Sequence, residues 1–346
     1  MNRIFFAVYA TVALLTSQAA NAFTSDDSTS ILKLVNNPVL IQALYLHPAN
    51  LLSGVGDVAA NGAVAGNAAS GAVVDIEGQR WGADLVAAAL ITHQDPSLGI
   101  ATINFGAAQM QSNGSFGSAN HFLAENFFLE SWARTLLMLK ETGNPAYTPM
   151  INSQIGNLAK AMHYYISSGD FLTEDGKCQT DFTHRCFLNA AALGEVASLA
   201  SDPQLAAMAL QSAQSGLNRQ LQDGTFPEKG GFDINYNAAS IMFASRYLMV
   251  CKDANMKALL LKAIHRAGER ESQEVSEDGE LSMIGSTRTG IDEKHDGSGD
   301  TKGFDTKGIV HALVYSGQVD VLAGSRNNGE RDLMEAGSIV AKNRGW

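Results

Sequence analysis

The sequence predicts an all-α protein: a closed ring, or (α/α) barrel, of about six helical hairpins, with its long loops gathered on one face. Two observations carry this expectation. A turn reading Asp-Gly or Asn-Gly recurs at Asn113-Gly114, Asp175-Gly176, Asp223-Gly224 and Asp278-Gly279, about 55 residues apart. That spacing suits two helices and two loops, and a helical hairpin cannot bury its apolar face unless it stacks on neighbours. Between the turns, apolar residues recur at helical spacing, and no strand-like alternation of useful length appears in the second half.

Residues 1–22 read as an export signal. Arg3 supplies the positive start, residues 4–15 are apolar but short for a bilayer span, and Ala20-Asn21-Ala22 is a cleavage site of the A-x-A kind. The expected mature chain begins at Phe23 and forms one domain over residues 23–346, periplasmic or secreted, with no membrane attachment after cleavage.

Residues 28–46 then read as a helix. Residues 51–74, rich in Gly, Ala, Asn and Val, show no helical period and are either a loop or small-residue packing. Residues 81–92 form a strong helix candidate. Residues 95–118 read as a loop, with Gly99, Gly106, Gly114 and Gly117 as breakers and room for a short β-ribbon at 101–105. A helix over 119–141 ends at Gly143-Asn144-Pro145, and 147–167 is its antiparallel partner. After the loop 169–185, helices 186–199 and 203–221 form a hairpin broken at Ser201-Asp202-Pro203. The loop 223–233, helices 236–251 and 255–275, the long loop 276–305, helix 306–322 and a last helix over 331–342 complete the chain. Long polar loops alternate with short connections, which puts the long loops on one rim.

The formal net charge of −11 argues against nucleic acid as a partner, since phosphate binders need a basic face. It weighs against a polyanionic substrate too, unless cations gather in a cleft. Of three cysteines, Cys178 and Cys186 share one loop and are either a disulfide or two thiols, with export favouring the bridge. Cys251 lies in an apolar run and reads as a buried small hydrophobe. No zinc spacing, phosphate loop, dinucleotide fingerprint or nucleophile elbow is present, so no cofactor is implied.

Four segments carry mixed polar chemistry. Asn120-His121 opens a helix, where free N–H groups favour an anion, or is simply a cap and a surface histidine. The segment 226–236 sets Glu228, Lys229, Asp233, Asn235 and Tyr236 around the pair Gly230-Gly231, which lets a ligand approach the backbone; Asp233 equally suits a helix cap. Arg288, between Thr287 and Thr289, suits a planar carboxylate, while Lys302 follows a polar stretch over 292–300 whose metal-loop flavour lacks the full ligand set. His184 and Arg185 adjoin the cysteine loop. Glu125 and Glu130 face either the ring axis or solvent. His93, His163, His265 and His311 read as structural. Trp81 and Trp132 read as core, although an aromatic at a barrel mouth can stack on a sugar.

The helical period, the export signal, Asn120-His121 and the run from Asp223-Gly-Thr-Phe-Pro-Glu to Gly-Gly-Phe-Asp-Ile-Asn-Tyr236 resemble secreted (α/α)-toroid carbohydrate-active proteins. Among these the chain is most similar to polysaccharide lyases of the alginate and glucuronan type. The resemblance implies β-elimination in a uronic-acid polysaccharide or oligosaccharide. Asn120 and Arg288 would neutralise the sugar carboxylate, and His121 and Tyr236 would act as base and acid. Glu228, Asp233, Asn235, His184, Arg185 and Lys302 would bind substrate. Two alternatives stay open: a glycoside hydrolase on the same scaffold using Glu228 and Asp233, and a non-catalytic toroid that binds a carbohydrate or another partner.

Overall fold

Side-chain caps start many of the helices. Asn37, Asp202, Asp233, Asp253 and Asp305 each accept a backbone N–H from the first turn that follows, and Pro38 and Pro203 occupy first helical positions. The computed structural model describes residues 29–53, 56–64, 67, 75–117, 122–168, 176–178, 180–291, 301–324 and 329–346. Among these, thirteen α-helices and no strands form, with a few isolated bridges. They are α1 Ile31–Val35, α2 Pro38–Leu40 (continued by a π-helical turn, Ile41–Tyr45), α3 Pro48–Leu51, α4 Trp81–Ile91, α5 Ser97–Ala107, α6 Phe122–Glu141 and α7 Thr148–Ser168. Then follow α8 Thr183–Ala200, α9 Pro203–Leu217, α10 Ile234–Val250, α11 Ala254–Ser272, α12 Thr306–Leu322 and α13 Gly329–Asn343.

The architecture is an (α/α) toroid. Helices α4, α6, α8, α10 and α12 pack side by side as the inner layer, and α5, α7, α9, α11 and α13 each lie outside their own inner partner. The inner helices α8 and α12 are buried on nearly every face, as an inner layer requires. Five hairpins make most of the ring. The sixth place, between α12 and α4, is taken by the short N-terminal turns α1 to α3, which touch both. Asn36 and the cap at Asn37 break the helix expected over 28–46 into these turns.

The recurring turns set the outer register of the ring. The backbone N–H of Gln111, Leu221 and Ser276 each bonds the carbonyl four residues on, and Gly114, Gly224 and Gly279 sit in the left-handed region. Each glycine presses on the outer helix of the next hairpin. A Cβ would stand 2.9 Å from Lys160 O on α7 at Gly114, 2.6 Å from Met208 Cα on α9 at Gly176, 2.4 Å from Arg266 O on α11 at Gly224, and 2.5 Å from Ile339 O on α13 at Gly279. The period therefore records a repeated docking of turn against helix.

The loop expected over 95–118, with Gly99 and Gly106 as breakers, is corrected. Residues 97–107 form helix α5, with neither a loop nor a ribbon at 101–105. Gly99 and Gly106 are packing glycines: a Cβ would lie 2.7 Å from Val86 Cγ2 at the first and 2.5 Å from the Phe128 ring at the second. Cys178 and Cys186 are joined in a disulfide, and Cys251 is a buried free thiol. No described helix is long and apolar enough to cross a membrane. The export signal and the 292–300 stretch fall outside the described residues.

Candidate functional site

Because long loops precede α6, α8, α10 and α12, these inner helices all start at one end of the ring. A pit of about 370 Å³ opens there and runs down the axis. Its mouth is set by loop-to-helix junctions, and its walls and floor by the middles of the inner helices.

Asp233 builds the junction at α10. It is fully buried and accepts the backbone N–H groups of Asn235 and Tyr236 through Oδ1, and those of Arg288 and Thr289 through Oδ2 at 2.8 and 2.6 Å. The Thr289 hydroxyl adds a bond of 2.9 Å to Oδ1. One carboxylate thus starts the helix and pins the loop that carries Arg288. Asn235 works similarly on the other loop, donating to Gly303 O and accepting from Asp305 N, each at 2.8 Å.

Glu228 holds the next layer. It is fully buried; Oε1 accepts from Arg288 at 2.6 Å, and Oε2 lies 3.0 Å from His184 Nδ1. Burial pulls the His184 imidazole below its usual value against the opposing pull of Glu228, so the ring is neutral at pH 7. With its Nδ1 proton held by Glu228, Nε2 is the basic nitrogen.

Tyr236 stands where these groups meet. Its ring centroid is 4.7 Å from that of His184, the Arg288 guanidinium lies 4.0 Å from it, and the Lys302 ammonium is 4.3 Å from it and donates to the phenol oxygen. Arg185, half-buried, stacks on Phe182 at 4.2 Å. The structure therefore brings together Tyr236, Arg288, His184, Arg185, Asn235 and Lys302 at one mouth, and sets Glu228 and Asp233 behind them as supports. Asn120 and His121 lie outside the described residues. Neither Glu228 nor Asp233 has an oxygen left without a donor, which argues against their use as a hydrolytic pair.

The deeper part holds Glu130, which takes the axial one of its two expected positions, with Asp84, Arg134 and Arg246, which the sequence reading did not single out. Glu130 is buried; its Oε1 accepts from Arg134 Nε and Arg246 Nη1, both at 3.0 Å, and Arg134 Nη1 donates to Asp84 at 2.8 Å. Burial works against the Asp84 carboxylate, but Arg134 and Arg246 prevail and hold it well below the usual range. His311, expected to be structural, lines the same pit, donates Nδ1–H to Lys307 O, and is pulled down to about 4 by burial. Trp81, expected in the core, is half-buried in the wall between Arg80 at 5.0 Å and the Lys307 ammonium at 4.0 Å; Trp132 is core. A signal for the floor was present in the sequence. Glu130 and Arg134 fall at i and i+4 on the face of Phe127, and Arg246 interrupts an apolar run.

Among the described residues, the pit is lined by seven cations (Arg80, Arg134, Arg185, Arg246, Arg288, Lys302 and Lys307) and four carboxylates (Glu77, Asp84, Glu130 and Asp305). A protein of net charge −11 thus presents a locally positive cleft. No cluster of His, Cys, Asp and Glu suited to a metal is found among the described residues. Comparison with family models, with curated proteins and with solved structures finds no match.

Proposed function

We propose that the protein is an exported lyase that cleaves a uronic-acid polysaccharide or oligosaccharide by β-elimination. The observation that carries this reading is the setting of Tyr236: a phenol at a cleft mouth, ringed by Arg288, Lys302 and a neutral His184, in an otherwise acidic chain. A uronic acid offers a carboxylate beside an acidic C–H, and both need what this mouth supplies. Arg288, Arg185 and Lys302 stand where they can bind the carboxylate and stabilise the charge that spreads into it as the C5 proton leaves. His184 Nε2 or the Tyr236 oxygen takes that proton. The C5–H electron pair becomes the C4–C5 double bond, the bond from C4 to the glycosidic oxygen breaks, and that oxygen leaves with a proton from the acid of the pair. Glu228 keeps the His184 tautomer and the Arg288 fork in place. Trp81 and Phe127 give the sugar faces apolar surface to lie against.

The test is a panel of uronic-acid polymers and oligomers assayed for an unsaturated product absorbing in the near ultraviolet. Appearance of that product supports the lyase. New reducing ends without it would indicate a hydrolase, and binding without any cleavage would indicate a carbohydrate-binding toroid.

A further inference from the structure

We propose that the axial pit is a dead-end subsite for the last one or two sugar residues of a chain, so that cleavage proceeds from chain ends. This rests on the lyase reading and adds to it the mode of attack.

The far end of the ring is sealed. Helix α1 lies across it and packs against α4, α6, α10 and α12, four of the five inner helices. Ile31, Leu34 and Val35 are wholly buried there. The Glu141 carboxylate, at the end of α6, fastens α1 by accepting from Ser30 Oγ at 2.8 Å, Ile31 N at 3.0 Å and Leu32 N at 2.8 Å. Gln318, in the second half of α12, donates to Lys33 O at 3.1 Å. Glu141 is nineteen positions beyond Phe122, so the seal sits roughly 28 Å along the helix from the loop rim. Above the seal, the Asp84–Arg134–Glu130–Arg246 belt closes the floor. A polymer cannot thread this axis.

The pit also has a useful depth. Tyr236 is at the mouth and Arg246 at the floor of the same helix, ten residues apart, or about 15 Å of rise. The walls between them carry apolar surface from Ala239, Met242 and Phe243 on α10, Phe127 on α6 and Trp81 on α4. Apolar walls over a hydrogen-bonding floor suit a sugar ring, whose faces are C–H and whose rim is hydroxyl. A volume near 370 Å³ belongs to a small molecule rather than to a strand crossing a groove. The cations at the mouth lie beside the bond to be cut, and the occupant of the pit lies beyond it.

The experiment follows product length against viscosity during digestion of a uronic-acid polymer that the protein cleaves. The expected result is mono- or disaccharide from the first time point, with viscosity falling slowly. A rapid loss of viscosity with mid-length products overturns the dead-end subsite and leaves the lyase standing. No unsaturated product from any polymer or oligomer overturns both. In parallel, Ala239→Phe and Met242→Trp fill the pit from positions one and two turns below Tyr236 on α10. Each should lower kcat/KM on the polymer about 100-fold or more while the melting temperature stays within a few degrees. Either variant, folded and as active as the parent protein, overturns the proposal.

Discussion

The mouth and the floor of the pit are both rich in arginine, but they are built to opposite ends. At the floor, Arg134 and Arg246 face Asp84 and Glu130, two charges of each sign, all within the inner helices. At the mouth, Arg80, Arg185, Arg288, Lys302 and Lys307 share the lining with Glu77 and Asp305 among the described residues, with Glu228 behind. The floor is closed on itself, and its charges are offset in place. Among the described residues, the surplus positive charge of the cleft belongs to the mouth, on loops and the first turns of inner helices. A belt that is balanced and buried holds the ring together, whereas an unbalanced rim is suited to take a carboxylate from outside.

The comparison breaks most sharply at Tyr236. Tyr236→Phe keeps the ring and removes only the hydroxyl that Lys302 holds. Turnover should fall by about 10³-fold with the melting temperature unchanged, the loss typical for a positioned acid–base group. A variant that turns over like the parent would take Tyr236 out of the mechanism.

The floor should respond in the reverse sense. Glu130→Ala takes a carboxylate from two buried guanidiniums, leaving Arg134 only Asp84 as its ion-pair partner; removing one partner of a buried ion pair costs about 3–5 kcal/mol. Urea denaturation would measure it. A loss below about 1 kcal/mol, the range of exposed pairs, would mean that the belt is solvated and not structural.

Gly224→Ala probes the outer register. The residue has φ +97°, and the new Cβ would stand 2.4 Å from Arg266 O, a backbone atom. Strain plus displacement of α11 should cost on the order of 2 kcal/mol by thermal or chemical unfolding. Gly230→Ala, also at positive φ but in open space, should cost less, which separates the conformational part from the contact.

What the sequence made legible follows the same division. The turns were visible because a positive φ and a close backbone approach both demand glycine, and they repeat. The mouth was visible because loop segments concentrate unlike polar types: Glu228, Asp233, Asn235 and Tyr236 within nine residues, then Arg288 and Lys302. Their division of labour was not visible. Glu228 looks like a ligand in the sequence and only tertiary partners turn it into a support; Asp233 reads equally as ligand or helix cap, and it is the cap. The floor was hidden for a different reason. Glu130 and Arg134 pair at i and i+4 on one helix and Arg246 stands alone on another, and such a charge reads equally as an axial or a solvent face until the axis is known. Gly99 and Gly106 were misread because a breaker and a packing glycine have the same one-letter signature; what distinguishes them is Val86 and Phe128, which are distant in sequence.

Glu195 gives the smallest and most specific test of the floor. It lies on α8 and is wholly buried, and neither carboxylate oxygen has a hydrogen-bond partner among the described residues. Burial first, and then the nearby Glu130, push its carboxyl well above the ordinary value of 4.5. The native protein therefore keeps this proton at pH values where the unfolded chain has already released it. The sign follows: the native state binds more protons above pH 4.5, so stability from this group is present in acid and is lost as pH rises toward the native value. The slope is at most about 1.4 kcal/mol per pH unit. Glu195→Gln keeps the shape and cannot ionise, so its stability relative to the parent should rise as pH climbs above 4.5. Glu271, also raised by burial, is present in both proteins and drops out of the difference. Parallel pH profiles for the two proteins would show that Glu195 ionises as an ordinary carboxyl, and that the belt has room for a third negative charge.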